Sequence, residues 1–81
     1  MELVELTEFL VKSLVKDQDS ISVKQIESEE DFILIEVIVN ENDIGKVIGS
    51  RGKIANSIRT LVQACAYTNY GKKVRINIDS L

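Results

Sequence analysis

Two glycines three residues apart, Gly49 and Gly52, stand between an apolar flank, Ile44-Gly45-Lys46-Val47-Ile48, and a long helical pattern that opens at Gly52. Glycine tolerates positive φ and lets a backbone or a ligand approach closely, so the pair calls for a sharp turn between two helices. The first N–H groups of the second helix lack intrahelical partners and carry the positive end of its dipole. A phosphate group fits there. Arg51 and Lys53 add full positive charges beside it. The stretch from Ile44 to Ala55 therefore reads as a helix–GxxG–helix loop suited to gripping a nucleic-acid backbone.

The spacing excludes the other glycine-rich phosphate loops. A Walker A loop needs glycine at position 47 and Ser or Thr at 54, where Val47 and Ile54 stand. A dinucleotide fingerprint also needs glycine at 47. A bare GxxG can equally serve a plain helix–turn–helix corner, so the distinction rests on charge and on neighbouring elements. Net charge is −3, but it is unevenly spread. Residues 1–43 carry twelve acids against Lys12, Lys16 and Lys24, whereas residues 44–81 carry seven bases against Asp79 alone. That asymmetry points to a basic working face on an acidic remainder.

Apolar periodicity predicts the elements. Leu3, Leu6, Leu10 and Leu14, with Val4, Val11 and Val15 beside them and Phe9 widening the stripe, predict a helix over residues 2–16. Glu8 and Lys12 form an i,i+4 pair on it. Asp17-Gln18-Asp19-Ser20 is a polar turn. Residues 20–27 alternate as a strand, with a slip at Gln25-Ile26 that marks a bulge. The acidic stretch 27–31 lacks glycine and predicts a loose hairpin. Phe32-Ile-Leu-Ile-Glu-Val-Ile-Val39 is the clearest strand, with Ile33, Ile35, Val37 and Val39 inward and Phe32, Leu34, Glu36 and Ile38 outward. Asn40, with Asp43 three residues on, resembles a capping box for a short helix ending near Ile48. The longer helix runs from Gly52 to about Thr68, with Ile54, Ala55, Ile58, Leu61, Val62, Cys65 and Ala66 on its apolar face and Asn69 and Gly71 as its stop. Residues 72–79 form the last strand, Val74, Ile76 and Ile78 inward and Lys73, Arg75 and Asn77 outward. The order is αββααβ: a two-layer α/β (α+β) fold in which a three-stranded mixed sheet has helices on one face. The connection from residue 32 to 79 should set the second and third strands parallel and adjacent, with a right-handed crossover.

Composition narrows the function classes. The 81 residues suffice for one small domain, 1–81, and the 44% hydrophobic content suits a compact core. No apolar run approaches the ~20 residues of a membrane span, and the N-terminus lacks a signal-peptide pattern. A lone cysteine and no histidine fit a reducing, cytoplasmic setting and remove the usual general base and metal ligand. The acids Glu27, Glu29, Glu30 and Asp31 read as a solvated turn, since calcium-loop spacing is absent. An enzyme, a cofactor, a metal and a small-molecule substrate are not expected.

The string I-G-K-V-I-G-S-R-G-K-I-A-N-S-I-R, together with the αββααβ order, resembles the type II KH domain. The likeness extends over nearly the whole chain, from Leu3-Val4 and Lys12-Ser13-Leu14-Val15 to Gly71-Lys72, and resembles the small bacterial single-KH proteins of the KhpA/YlqC family. That resemblance implies cytoplasmic single-stranded RNA binding, a role in RNA regulation or as an RNA chaperone, and self-association or pairing with a KhpB/Jag-type KH protein. Ser50 stands where the family often has Lys, and Asn56 where a basic residue is common. Both reduce the charge facing the phosphates.

On this reading Gly49, Ser50, Arg51 and Gly52 take the phosphates, and Lys46, Lys53 and Arg59 surround them. Val47, Ile48, Ile54 and Ile58 supply an apolar floor for bases, although core packing accounts for Ile54 and Ile58 equally well. Arg59 fits a structural pairing almost as well as an RNA contact. Strand backbone is expected to read base edges. Tyr67 and Tyr70 lie at the far end of the long helix, where packing or a partner surface fits better than base stacking. Cys65 reads as a buried, inert thiol. Outward Leu34 and Ile38, with Tyr67, are candidate partner surfaces. The competing reading is a protein-interaction scaffold with a KH fold and little RNA binding of its own.

Overall fold

Helix α1 (Leu3–Lys12) opens the fold, and the computed structural model describes residues 2–81. Leu3, Thr7 and Val11 recur every fourth residue and are buried, with Val4, Leu6, Leu10 and Leu14 packed beside them. The buried Thr7 hydroxyl is satisfied within the helix, donating to Leu3 C=O at 2.7 Å. The Glu8–Lys12 pair forms at 3.3 Å. Two expectations fail here. Phe9 does not widen the buried stripe and is 60% exposed. The helix also stops at Lys12 rather than residue 16. Its end is decided from outside: the Lys16 and Asp17 N–H groups donate to the Asp43 carboxylate, at 3.3 and 3.1 Å, instead of to helical carbonyls. Val15 is buried all the same.

A 3₁₀ turn (Gln18–Ser20) leads into β1 (Ser22–Ser28), which pairs antiparallel with β2 (Phe32–Val39). The register slips between Gln25 and Glu27, the bulge that broken alternation marks. The hairpin is tighter than its acidic sequence suggests, because Glu29 N–H reaches back to Phe32 C=O at 2.7 Å. Strand β3 (Lys73–Ser80) lies parallel to β2, giving the order β1-β2-β3. Ile33, Ile35 and Val37 sit opposite Val74, Ile76 and Ile78, so β-branched side chains tile one face. Helices α1 and α3 (Lys53–Tyr70) cover that face. The result is the two-layer αββααβ arrangement of a type II KH fold.

Helix α3 buries Ala55, Ile58, Val62 and Ala66. Leu61, expected on the same face, is 55% exposed, because four buried positions at three- and four-residue spacing already fill the narrow contact stripe. The helix runs two residues past Thr68. Asn69 does not end it; its amide donates to Cys65 C=O at 3.0 Å. Gly71 does, in the left-handed region at φ 64°, with its N–H on Tyr67 C=O as in an αL cap and the Lys72 N–H on Ala66 C=O at 3.5 Å.

The short α2 (Ile44–Ile48) starts without the expected capping box. Asn40 Oδ1 accepts from Asn42 N–H at 2.9 Å, and Asn40 Nδ2 reaches Asp17 Oδ2 at 3.3 Å. The Ser20 hydroxyl donates to the same Asp17 oxygen at 2.6 Å and holds that carboxyl below the usual carboxylate range. Asp43, 3% exposed, turns inward to tie α2 to the end of α1. Removing its carboxylate strands two partly buried N–H groups. Asp43→Ala is expected to lower unfolding stability by about 1–3 kcal/mol in urea denaturation, and Asp43→Asn, which keeps one acceptor oxygen, by less. A loss below about 0.5 kcal/mol for the alanine variant would mean that the tether carries no weight.

Candidate nucleic-acid interface

The loop between α2 and α3 has a backbone that few sequences permit. Gly49 adopts φ 76°, ψ 176°, a region open essentially to glycine alone. Ser50–Gly52 then make a single 3₁₀ turn in which Arg51 (φ 58°, ψ 25°) and Gly52 (φ 75°, ψ 12°) are both left-handed. Arg51 is the one non-glycine residue with positive φ among those described. A helical residue followed by a left-handed one makes successive N–H groups converge into an anion-binding concavity. No side chain caps the N-terminus of α3; the loop's own carbonyls take the first N–H groups, that of Gly52 going to Gly49 C=O and that of Lys53 to Ser50 C=O.

The two glycines have different tasks. A Cβ on Gly49 would lie 2.6 Å from Ile54 Cγ1 and 2.9 Å from its Cβ, which α3 holds in place. On Gly52 it would meet nothing nearer than Asn56 Nδ2 at 3.9 Å. Gly49 therefore lets the loop fold down on α3, whereas Gly52 serves only its own left-handed turn.

The side chains expected to carry the site divide into two sets. Lys46, Ser50, Arg51 and Lys53 are exposed around the loop. Lys46 lies 3.8 Å from Asp43 Oδ1 and keeps half its side chain in solvent. Ile48 and Ile54 keep accessible apolar surface, 36% in the case of Ile48. Val47 and Ile58 do not: at 0% and 4% exposure they belong to the core beneath the loop, which corrects the expectation of a four-residue apolar floor. The spacing that brought them into register with the loop is the spacing that packs α2 and α3 onto the sheet.

Arg59 is engaged with β3 and with its own helix. Its Nε donates to Ile76 C=O at 3.2 Å and its Nη1 to Asn56 Oδ1 at 3.2 Å. One turn later Gln63 Nε2 donates to Lys72 C=O at 3.0 Å while its Oε1 accepts from Val74 N–H at 2.9 Å. These bonds reach the open edge of β3. Lys73 and Leu81 send their N–H groups to Asp31 and Val39, on the β2 side. In a parallel strand both backbone groups of alternate residues then face the other way, so those of Val74, Ile76 and Ile78 face the edge. Between that edge and α3 lies an open groove of about 610 Å³, lined by Arg59, Thr60, Gln63, Arg75, Ile76 and Asn77 among others. Gln63 and Thr60 escaped the sequence reading. Their only signal there is polarity on α3, next to Arg59 for Thr60 and one turn after it for Gln63.

A family model described as "KhpA/KhpB, KH domain" matches residues 4–78. The chain belongs to the KhpA/KhpB KH-domain family. It is similar to the RNA-binding protein KhpA of Borreliella burgdorferi, at 47% identity over 93% of this chain and 89% of that one. The RNA-binding protein KhpA of Clostridium perfringens is 45% identical over 91% and 96% of the two chains. Among solved structures, Era in complex with MgGDPNP and nucleotides 1506–1542 of 16S ribosomal RNA shares the fold, with a TM-score of 0.69 and 22% identity. The likeness spans 96% of this chain and 29% of that one. Aquifex aeolicus Era bound to GDP and AlF4⁻ gives a TM-score of 0.72 at 21% identity, over 98% of this chain and 30% of that one. The family is one of RNA-binding proteins rather than of enzymes. Among the described residues no three His, Cys, Asp or Glu side chains gather into a metal site. No described helix is long and apolar enough to cross a membrane.

The glycine geometry yields an ordered expectation. Gly49→Ala should cost about 2–4 kcal/mol, combining a forbidden backbone region with overpacking against Ile54. Gly52→Ala should cost about 1–2 kcal/mol, for its left-handed turn alone. Thermal melting of the two variants checks the order; equal losses would mean that the approach to Ile54 is unimportant.

Proposed function

We propose that the chain binds single-stranded RNA, gripping the backbone with the Gly49–Gly52 loop while bases lie toward the β3 edge. The observation that carries this reading is the loop itself. Its left-handed turn at Arg51 and Gly52 meets an uncapped eighteen-residue helix, with Lys46, Arg51 and Lys53 exposed around it. Residues 44–78 contain no acid to oppose a phosphate. Names of the relatives support the same class of ligand. Ile48 and Ile54 offer apolar contact to bases, and the groove beside β3 offers backbone groups for their edges. Arg59 shapes that groove through its bond to Ile76 rather than meeting a phosphate directly.

One such groove holds few nucleotides, so a second raises avidity without new contacts. The proposal therefore includes a homodimer or a heterodimer with a KhpB/Jag-type KH protein, acting in cytoplasmic RNA regulation or as an RNA chaperone. Leu34 and Ile38 on the outer sheet face, half-buried in the single chain, and Tyr67, 54% exposed, are the surfaces offered for it.

Three phosphate contacts, at Lys46, Arg51 and Lys53, give a slope of about −2 for log K against log salt on single-stranded RNA. A slope near zero in a salt titration would remove the electrostatic clamp. A sharper test replaces Ser50 and Arg51 with Asp and leaves both glycines. Asp tolerates the left-handed region that Arg51 occupies, so circular dichroism and melting should be nearly unchanged. The charge at the site swings from positive to doubly negative, and RNA binding should be lost. Binding within about twofold of the wild-type chain, or ~0.4 kcal/mol, would show that the loop is not the clamp and would favour a scaffold.

A further inference from the structure

The carboxamide of Gln63 acts on β3 as a neighbouring strand or a nucleobase would. It gives a hydrogen to Lys72 C=O and takes one from Val74 N–H, at 3.0 and 2.9 Å. A donor partner on one side and an acceptor on the other fix which end of the amide is which. Farther along the same edge, Arg59 Nε holds Ile76 C=O. Between the two lie Val74 C=O and Ile76 N–H, which no side-chain hydrogen bond reaches among the described residues. They face the groove and form the same acceptor–donor pair that Gln63 fills one step away.

We propose that Gln63 is a placeholder that sets the register and the length limit of RNA along β3. It occupies the Lys72–Val74 step, so the first step open to a nucleobase is Val74 C=O with Ile76 N–H. This rests on the RNA reading above. The chemistry is shared: a carboxamide presents one donor beside one acceptor, as a base does at its pairing edge. Successive steps along the strand are two residues, about 6.6 Å, apart. A base aimed at the Lys72–Val74 step must displace an intramolecular partner already in place and leave its amide to find new bonds. Toward the loop only Ile76 C=O is engaged, by the single donor Arg59 Nε, and no side chain fills a whole donor–acceptor step, so RNA runs from the loop to Ile76 and stops at Gln63. The bland alternative is that Gln63 only shields an exposed strand edge from pairing with another chain.

The test is a titration of the full chain with mixed-sequence single-stranded RNAs of increasing length, followed by backbone amide NMR and by affinity. In the wild-type chain the Ile76 amide should shift on RNA addition and the Val74 amide should not. Gln63→Leu shortens the side chain by one atom, keeps its branched end and removes both bonds. There the Val74 amide should shift as well, and affinity should keep rising, by about threefold or more, for one nucleotide beyond the wild-type plateau. Gln63→Glu retains the acceptor for Val74 N–H, so it should bind more weakly at every length yet keep the wild-type limit. It also supplies the comparison if the leucine variant does not fold. A Val74 amide that shifts in the wild-type chain, an unchanged plateau in Gln63→Leu, or self-association of that variant in place of a longer footprint would overturn the inference. A lengthened limit in Gln63→Glu would overturn it too. Failure of the wild-type chain to bind any RNA would overturn the RNA reading first, and the placeholder with it.

Discussion

The parallel pairing of β2 with β3 is the constraint on which the rest of the structure depends. Parallel neighbours cannot be joined by a tight turn, so the chain must leave the sheet and return over one of its faces. Every part of the proposed RNA site lies in or beside that return: α2, the glycine loop, α3 and the open edge of β3. The same pairing makes the core. Ile33, Ile35 and Val37 align with Val74, Ile76 and Ile78, and the apolar sides of α1 and α3 close over them. With β3 at the end of the sheet, one set of its backbone groups is left for side chains or ligands.

Two close contacts then fix the loop against this frame. Asp43 draws the end of α1 onto the start of α2 by accepting two backbone hydrogens in a nearly closed environment. Six residues later, Gly49 lets the chain pass against Ile54 at a distance no side chain would allow. Both determine the angle at which exposed Ser50, Arg51 and Lys53 stand at the head of α3. Val47 and Ile58 do the same from below, as core residues supporting the loop.

Charge is arranged on the same plan. The chain is acidic overall, yet its acids are confined to α1, the turns, the first two strands and Asp79. Asp43, immediately before α2, is buried and engaged with N–H groups and Lys46. On the proposed reading a phosphate at the loop meets Lys46, Arg51 and Lys53 at short range, where exposed charges are least screened.

Much of this was legible in the sequence because it is local or periodic. The β-branched run of β2, the slip at Gln25-Ile26, the αββααβ order and the GxxG turn all follow from residue type and spacing. What failed to show there depended on atoms far apart in the chain. The end of α1 is set by Asp43, a carboxylate 27 residues beyond Lys16, so no helix signal near residue 12 announces it. Phe9, Leu61, Val47 and Ile58 have apolar side chains that suit either core or surface, and only the crossing of the helices over the sheet sorts them. Gln63 reads as an ordinary polar residue until β3 is laid beside α3, when its amide finds Lys72 and Val74. Sequence by itself determined the elements, their order and the chemistry of the loop, since these rest on backbone preference and periodicity. Tertiary structure alone decided which apolar side chains remain available to a base and which part of the β3 edge is already taken, because both depend on distances between elements that periodicity does not encode.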